Sequence, residues 1–359
     1  VKSKELLVNK RQFIKHSALA LSLLPLAGCS VSAIAATSAN ATPNRILPKA
    51  LNKGDTVGLV ASSAAVADHE DLVIAKEVLQ ALGFKVKSGR FYSERRGHLA
   101  GRDEDRAADL NAMFADSEVK AVICARGGSG AARILPLLDY EMIRRNPKPL
   151  LGYSDITALH NALLAKAGLV SFHGPNGIGS WNAFNVDQFE RVFFQRELLT
   201  YQNEQEPKGE LVVRENRTRV ITSGKAQGQL IGGNLTVLTA LAGTPYLPDF
   251  QDKILFLEDI EEQPYRIDRM MSTLKLMGAL DKIKGFIFGD CNRCNPGSGW
   301  GSLTLDEIFA DFIKPLGIPA YRGAMIGHIP KQFIVPVGAN VEMDADSGTF
   351  KLLEPVFQS

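Results

Sequence analysis

From residue 55 onward, short apolar runs alternate with longer amphipathic ones, the pattern of a parallel sheet with crossover helices. "TVGLVA" (56–61) predicts a strand, "DLVIAKEVLQAL" (71–82) a helix, "FKVKSG" a strand, "DEDRAADLNAMFAD" (103–116) a helix and "VKAVICA" (119–125) a strand. A glycine loop follows, then a helix near 131–139, a strand ending at Leu151, a helix from Asp155 and a strand in "LVSFHGP" (169–175). This is one α/β domain within residues 45–195.

Between 196 and 220 the chain turns polar and loses both helical and strand periodicity, which marks an inter-domain crossing. Apolar segments return at 228–246, 253–260, 283–291 and 318–330, with a helical pattern at 266–280 and a β-rich end. Residues 221–359 are therefore expected to form a second, smaller domain of mixed α/β, β-rich character. The predicted fold class is α/β, with an N-terminal parallel-sheet domain.

The first 40 residues do not belong to this pattern. A basic head, an apolar stretch from Ser17 to Leu26 and a small-residue exit make an export signal, and the apolar stretch is too short to span a bilayer. Leu26-Ala27-Gly28-Cys29 is similar to a bacterial lipobox, so Cys29 is expected to carry lipid; a simple cut near "AIAATSANA" is the competing reading. Lys10-Arg11 is similar to a twin-arginine pair with the first Arg replaced. The expected address is the periplasm or cell envelope, with a lipid anchor as its finer form.

The whole chain has 41 basic and 39 acidic residues. Residues 1–28 hold five Lys/Arg and one Glu, which leaves 36 basic against 38 acidic in the remainder. No basic run offers the footprint that nucleic acid needs. Of the four cysteines, Cys124 lies in an apolar run and reads as an inert strand residue. Cys291 and Cys294 form a C-x-x-C that is only half a zinc site; a local disulfide or two idle thiols fits better.

The chemistry concentrates at "PLLGYSDITALH" (149–160). A strand that ends at glycine and turns at once into a helix lifts the turn residue above the sheet edge, so Ser154 has the placement of a nucleophile. The backbone N–H of Asp155 would then face the developing oxyanion. The competing reading is an ordinary helix N-cap by Ser154 or Asp155. The loop "ARGGSGAAR" (125–133) follows the preceding strand, and Gly127, Gly128 and Gly130 let its backbone approach a reacting carbonyl. It departs from the dinucleotide fingerprint, with Arg133 at the third glycine position.

A serine nucleophile needs a base. His160 lies six residues along the same helix and points away from the corner, while His69 and His98 sit in polar connections. His173 and His328 remain, and the residues alone do not choose between them. Glu258, at the end of the apolar run "ILFL", is the unusual acid; Asp259 and Glu261 are its neighbours.

At these residues the chain resembles the LD-carboxypeptidase family, which includes muramoyl-tetrapeptide carboxypeptidases and microcin C self-immunity peptidases. The matching segments are "ARGGSGAARILPLLD", "LLGYSDITALH", "FHGPN", "GGNLTVLTALAGTPY", "LFLEDIEEQPYRIDRM", "GFIFGDC" and "GHIPKQFIVPVG". The resemblance implies a catalytic triad of Ser154, Glu258 and His328 and an oxyanion hole from the N–H groups of Asp155 and Gly128. It also implies a site between the two domains, no metal or other cofactor, and a murein peptide ending in D-Ala as substrate. Ser129 stands where the family's glycine loop carries Tyr, so Ser129 is a candidate substrate contact. Arg126 and Arg266, with Arg133 and Arg269, are candidates for the substrate carboxylate. Family members dimerise, which implies a homodimer. Two rivals stay open: a peptidase for aminoacyl-adenylate analogues, and an exported ligand-binding lipoprotein without turnover.

Overall fold

The computed structural model describes residues 43–205, 211–213, 215–296 and 301–358. The expected export signal, its lipobox and Cys29 lie outside the described residues.

The first sheet is built from β1 (Thr56–Val60), β2 (Lys85–Ser88), β3 (Val119–Cys124), β4 (Leu150–Gly152) and β5 (Ser171–His173), all parallel. Helix α1 (His69–Ala81) crosses from β1 to β2, and α2 (Asp103–Ala115) from β2 to β3. Both begin as their sequences dictate. Asp68 caps α1 by accepting from the Glu70 N–H at 3.0 Å, and Asp103, Glu104 and Asp105 put negative charge on the first turn of α2. The expected helix near 131–139 is shorter: α3 (Ala131–Ile134) gives way to a 3-10 turn at Pro136, and α4 (Tyr140–Arg145) follows. Helix α5 (Thr157–Ala167) joins β4 to β5.

The second sheet takes two strands from the polar stretch predicted to be a plain crossing, β6 (Thr200–Tyr201) and β7 (Arg219–Thr222), after α6 (Ala183–Phe189). Periodicity was not visible there because these are edge strands, two and four residues long, and β7 is largely exposed. The sheet continues through β8 (Lys225–Asn234), β9 (Ile254–Ile260), β10 (Gly285–Asn292) and β11 (Ala320–Arg322), with α7 (Leu235–Ala240), α8 (Pro264–Leu276) and α9 (Leu305–Phe312) between them. Next in the chain, β12 (Val335–Val337) leaves this sheet and pairs antiparallel with β5, whereas β13 (Asn340–Asp344) and β14 (Thr349–Leu352) return to it. The orders are β12-β5-β4-β3-β1-β2 and β6-β14-β13-β8-β9-β10-β11-β7.

Residues 42–359 form one compact unit, and a single apolar cluster runs from Leu59 and Phe172 of the first sheet to Phe256 and Phe288 of the second. Burial on both faces explains why the central strands read as unbroken apolar runs. Strand order reverses at β1, whose neighbours are β2 and β3. In open parallel sheets, ligands bind beyond the carboxyl ends of the strands at such a reversal.

Candidate active site

Ser154 follows β4 after one residue, Tyr153, and opens a 3-10 turn, Ser154–Ile156, that leads into α5. Its φ of +65° is left-handed, a costly geometry for a residue with a Cβ and one that clusters at functional sites. Its hydroxyl caps no helix and has no hydrogen-bond partner among the described residues. The N-cap reading therefore fails on geometry: the cap position of the turn is Tyr153, which makes no side-chain cap bond.

The glycine loop closes over this corner. A Cβ on Gly127 would lie 2.8 Å from the Ser154 Cβ and 3.1 Å from its Oγ, so only glycine permits this approach. Gly128 and Ser129 form an exposed tip, and Gly127 and Gly130 are buried. Asp155 is 6% exposed. Its Oδ2 accepts from the Ser63 hydroxyl and, at 2.7 Å, from the Ala131 N–H.

Glu258 and His328 meet. Glu258, near the end of β9, is fully buried, and its Oε2 accepts from His328 Nδ1 at 2.8 Å. A carboxylate only accepts, so the imidazole proton sits on Nδ1 and Nε2 is the basic nitrogen. Gly327 allows the contact: its φ is +119°, and a Cβ there would stand 2.7 Å from Glu258 Oε2. Asn292 Nδ2 donates to the His328 carbonyl at 2.7 Å. The Tyr153 ring lies 4.9 Å from the imidazole, which places the residue before Ser154 against the base. Burial opposes a charge on His328, but the Glu258 hydrogen bond and the charges of Glu258, Asp259 and Asp290 outweigh it and raise its pKa.

The other histidines separate clearly. His160 is buried between the Ser171 hydroxyl and the Gly152 carbonyl, each 2.8 Å from a ring nitrogen, and burial lowers its pKa to about 4. His173 is buried against Tyr153, His160 and Phe256, and burial pushes its pKa well below the usual value. His69 and His98 are exposed. Asp259 is spoken for: it accepts from Asn234 Nδ2, the Thr236 N–H and hydroxyl, and its neighbour's N–H. Burial and the Glu258 charge raise its pKa to about 6.

The arginine candidates differ in engagement. Arg133 forms a bidentate pair with Asp103, Arg266 bonds the Tyr265 hydroxyl and faces Glu262, and Arg269 lies over the Tyr265 ring. Arg126, at the root of the glycine loop, donates from Nη1 to the Ala65 carbonyl at 3.1 Å. Cys291 and Cys294 form a disulfide, and Cys124 is buried with its thiol pKa pushed up to about 12. Among the described residues, no three or more His, Cys, Asp or Glu side chains are grouped to hold a metal ion.

Sequence reasoning missed the carboxylate of Asp155, the Tyr153 ring and the Asn292 tether. Each acts through contacts between distant segments, which local pattern does not encode.

Residues 57–174 match the LD-carboxypeptidase N-terminal domain and residues 227–343 the LD-carboxypeptidase C-terminal domain. A probable murein peptide carboxypeptidase of Bacillus subtilis is 43% identical over 307 residues, covering 84% of this chain and 92% of the relative. A murein tetrapeptide carboxypeptidase of Pseudomonas aeruginosa is 31% identical over 303 residues, covering 81% and 93%. Among solved structures, the microcin C7 self-immunity protein in complex with aspartyl sulfamoyl adenosine superposes with a TM-score of 0.78 at 27% identity, covering 87% of this chain and all of that one. The muramoyltetrapeptide carboxypeptidase of Oxalobacter formigenes gives 0.70 at 29% identity, covering 83% and 97%. By the match of both domains and the identity to these relatives, the chain belongs to the LD-carboxypeptidase family.

Proposed function

We propose that this protein is a serine carboxypeptidase that hydrolyses the L-D peptide bond of a murein tetrapeptide and releases the terminal D-Ala. The observation that carries the reading is the buried Glu258–His328 hydrogen bond beside a serine corner whose hydroxyl caps nothing. Ser154 Oγ attacks the peptide carbonyl as His328 Nε2 takes its proton, and Glu258 holds the imidazole and stabilises its cationic form. The N–H groups of Asp155 and Gly128 receive the oxyanion, at about 3 kcal/mol per donor. His328 then protonates the leaving amine, D-Ala departs, and water, deprotonated by His328, hydrolyses the acyl-enzyme.

An exopeptidase has to recognise a free carboxylate, for which a guanidinium fork suits best. Arg126 is the candidate of choice: it adjoins the glycine loop and, among the described residues, gives one of its five N–H donors to a protein acceptor. The first 40 residues support export to the cell envelope, with Cys29 as lipid carrier. Loss of labelled fatty acid from a Cys29→Ala chain would test the anchor.

The principal test incubates the protein with disaccharide tetrapeptide and follows the mass loss of one alanine. The reading requires that loss, and requires that it vanish in Ser154→Ala. The superposition on a self-immunity protein bound to aspartyl sulfamoyl adenosine favours a second reading, cleavage of aminoacyl-adenylate analogues. Hydrolysis of an aminoacyl sulfamoyl adenosine with the tetrapeptide left intact would select it. Binding of the tetrapeptide without turnover would select a ligand-binding lipoprotein.

A further inference from the structure

Three loops meet at the carboxyl edge of the first sheet where strand order reverses: residues 61–65 after β1, the glycine loop after β3 and the Ser154 corner after β4. One atom joins them. Asp155 Oδ2 belongs to the third loop and accepts from Ser63 of the first and from the Ala131 N–H at the end of the second. The buried guanidinium of Arg106 reinforces the same junction, with Nη1 donating to the Ser62 carbonyl at 2.8 Å and the Gly130 carbonyl at 2.9 Å. Hydrogen bonds to a charged, water-excluded carboxylate are the strong ones, and losing the acceptor leaves two buried donors unpaired.

We infer that Asp155 is a positioning residue: its carboxylate latches the glycine loop at a fixed distance from the Ser154 hydroxyl, so that the backbone N–H of Gly128 meets the oxyanion in the transition state. Its side chain touches neither substrate nor base and acts through the loop alone. The glycine loop itself contacts Ser154 closely, so a small drift of its root shifts the donor relative to the attacked carbon. The inference rests on Ser154 as nucleophile.

A latch on an oxyanion donor acts on the transition state and spares ground-state binding. Asp155→Ala is therefore expected to lower kcat by about 10²- to 10³-fold, as loss of one oxyanion donor does, with KM within about threefold. The affinity of a boronic acid analogue of the tetrapeptide, which forms a tetrahedral adduct on serine, is expected to fall in parallel with kcat. Asp155→Asn keeps an oxygen that accepts both bonds and is expected to recover kcat to within about tenfold of the parent. Ser63→Ala removes one of the two donors and is expected to cost about tenfold in kcat. Circular dichroism confirms the fold of each variant; if Asp155→Ala does not fold, Ser63→Ala and Asp155→Asn decide. A folded Asp155→Ala or Ser63→Ala variant with parental kcat overturns the latch, as does a loss confined to KM with boronate affinity unchanged. Ser154→Ala run alongside separates the two claims: if it stays active, the nucleophile reading falls, and if it is dead while Asp155→Ala is fully active, only the latch falls.

Discussion

Replacing Glu258 with Gln isolates the part of the site that the structure defines best. The side chain is fully buried, and Oε2 holds the Nδ1 proton of His328 at 2.8 Å. Gln has nearly the same shape, but its amide can also donate to Nδ1. That would move the imidazole proton to Nε2, the nitrogen that must accept the Ser154 proton. In a serine protease triad the equivalent change lowers kcat by about 10⁴-fold, or about 5.5 kcal/mol of barrier. A pH signature accompanies the loss. In the parent the folded pKa of His328 is raised, so activity is lost as pH falls through a value above 6.5. Without the Glu258 carboxylate, burial is opposed only by the more distant acids, and the acid limb moves to lower pH. Stability shifts in the same sense. The raised pKa stabilises the parent fully below the unfolded value and is lost as pH rises through the folded one, and the variant lacks most of this contribution. The assay is D-Ala release followed from about pH 5 to 9, with thermal melts to confirm folding. A folded variant within tenfold of the parental kcat, with an unmoved acid limb, would refute the reasoning.

Gly127→Ala brings a Cβ to 2.8 Å from the Ser154 Cβ, against about 3.5 Å for an ordinary carbon contact. A shift approaching 1 Å at the nucleophile is expected to cut kcat/KM by about 10²-fold, and unchanged kinetics would show that the loop has slack. His173→Phe replaces a fully buried imidazole with no hydrogen-bond partner among the described residues. Its depressed pKa means that the unfolded chain binds a proton below about pH 6.5 that the folded chain does not. The variant should therefore gain about 1.4 kcal/mol over the parent for each pH unit below that value in urea unfolding, and parallel pH curves would contradict this. The Cys291–Cys294 disulfide closes a very short loop, so Cys291→Ser with Cys294→Ser is expected to cost about 2 kcal/mol of stability by chain entropy, read from the same unfolding curves.

The alternation of apolar and amphipathic segments made β1, α1, α2, β3, β9 and α8 legible to within a few residues, because the helices bury one face at the helical period and the central strands, covered on both faces, are almost continuously apolar. The edge strands β6 and β7 carry almost no such signal, and β12 is three residues that join the first sheet through a register the sequence does not express. The Ser154 corner is visible in the sequence as strand, glycine and helix, but the φ of +65° and the missing cap bond that separate nucleophile from cap are visible only in the structure. Likewise, the choice of His328 over His173 came from family resemblance. The structure supplies a physical reason for it: His173 is sealed among aromatic rings, and His328 faces a carboxylate. Asp155 shows the limit most clearly, because its carboxylate meets Ser63, which is 92 residues away in the chain.

The central claim is that the Ser154 hydroxyl is activated by the His328–Glu258 pair, and covalent labelling tests it most directly. A fluorophosphonate, which reacts with activated serines, is expected to add once to the protein. Peptide mapping should place the adduct on Ser154, and His328→Ala should abolish it. An adduct on Ser129, or no adduct on protein that still releases D-Ala, would contradict the account.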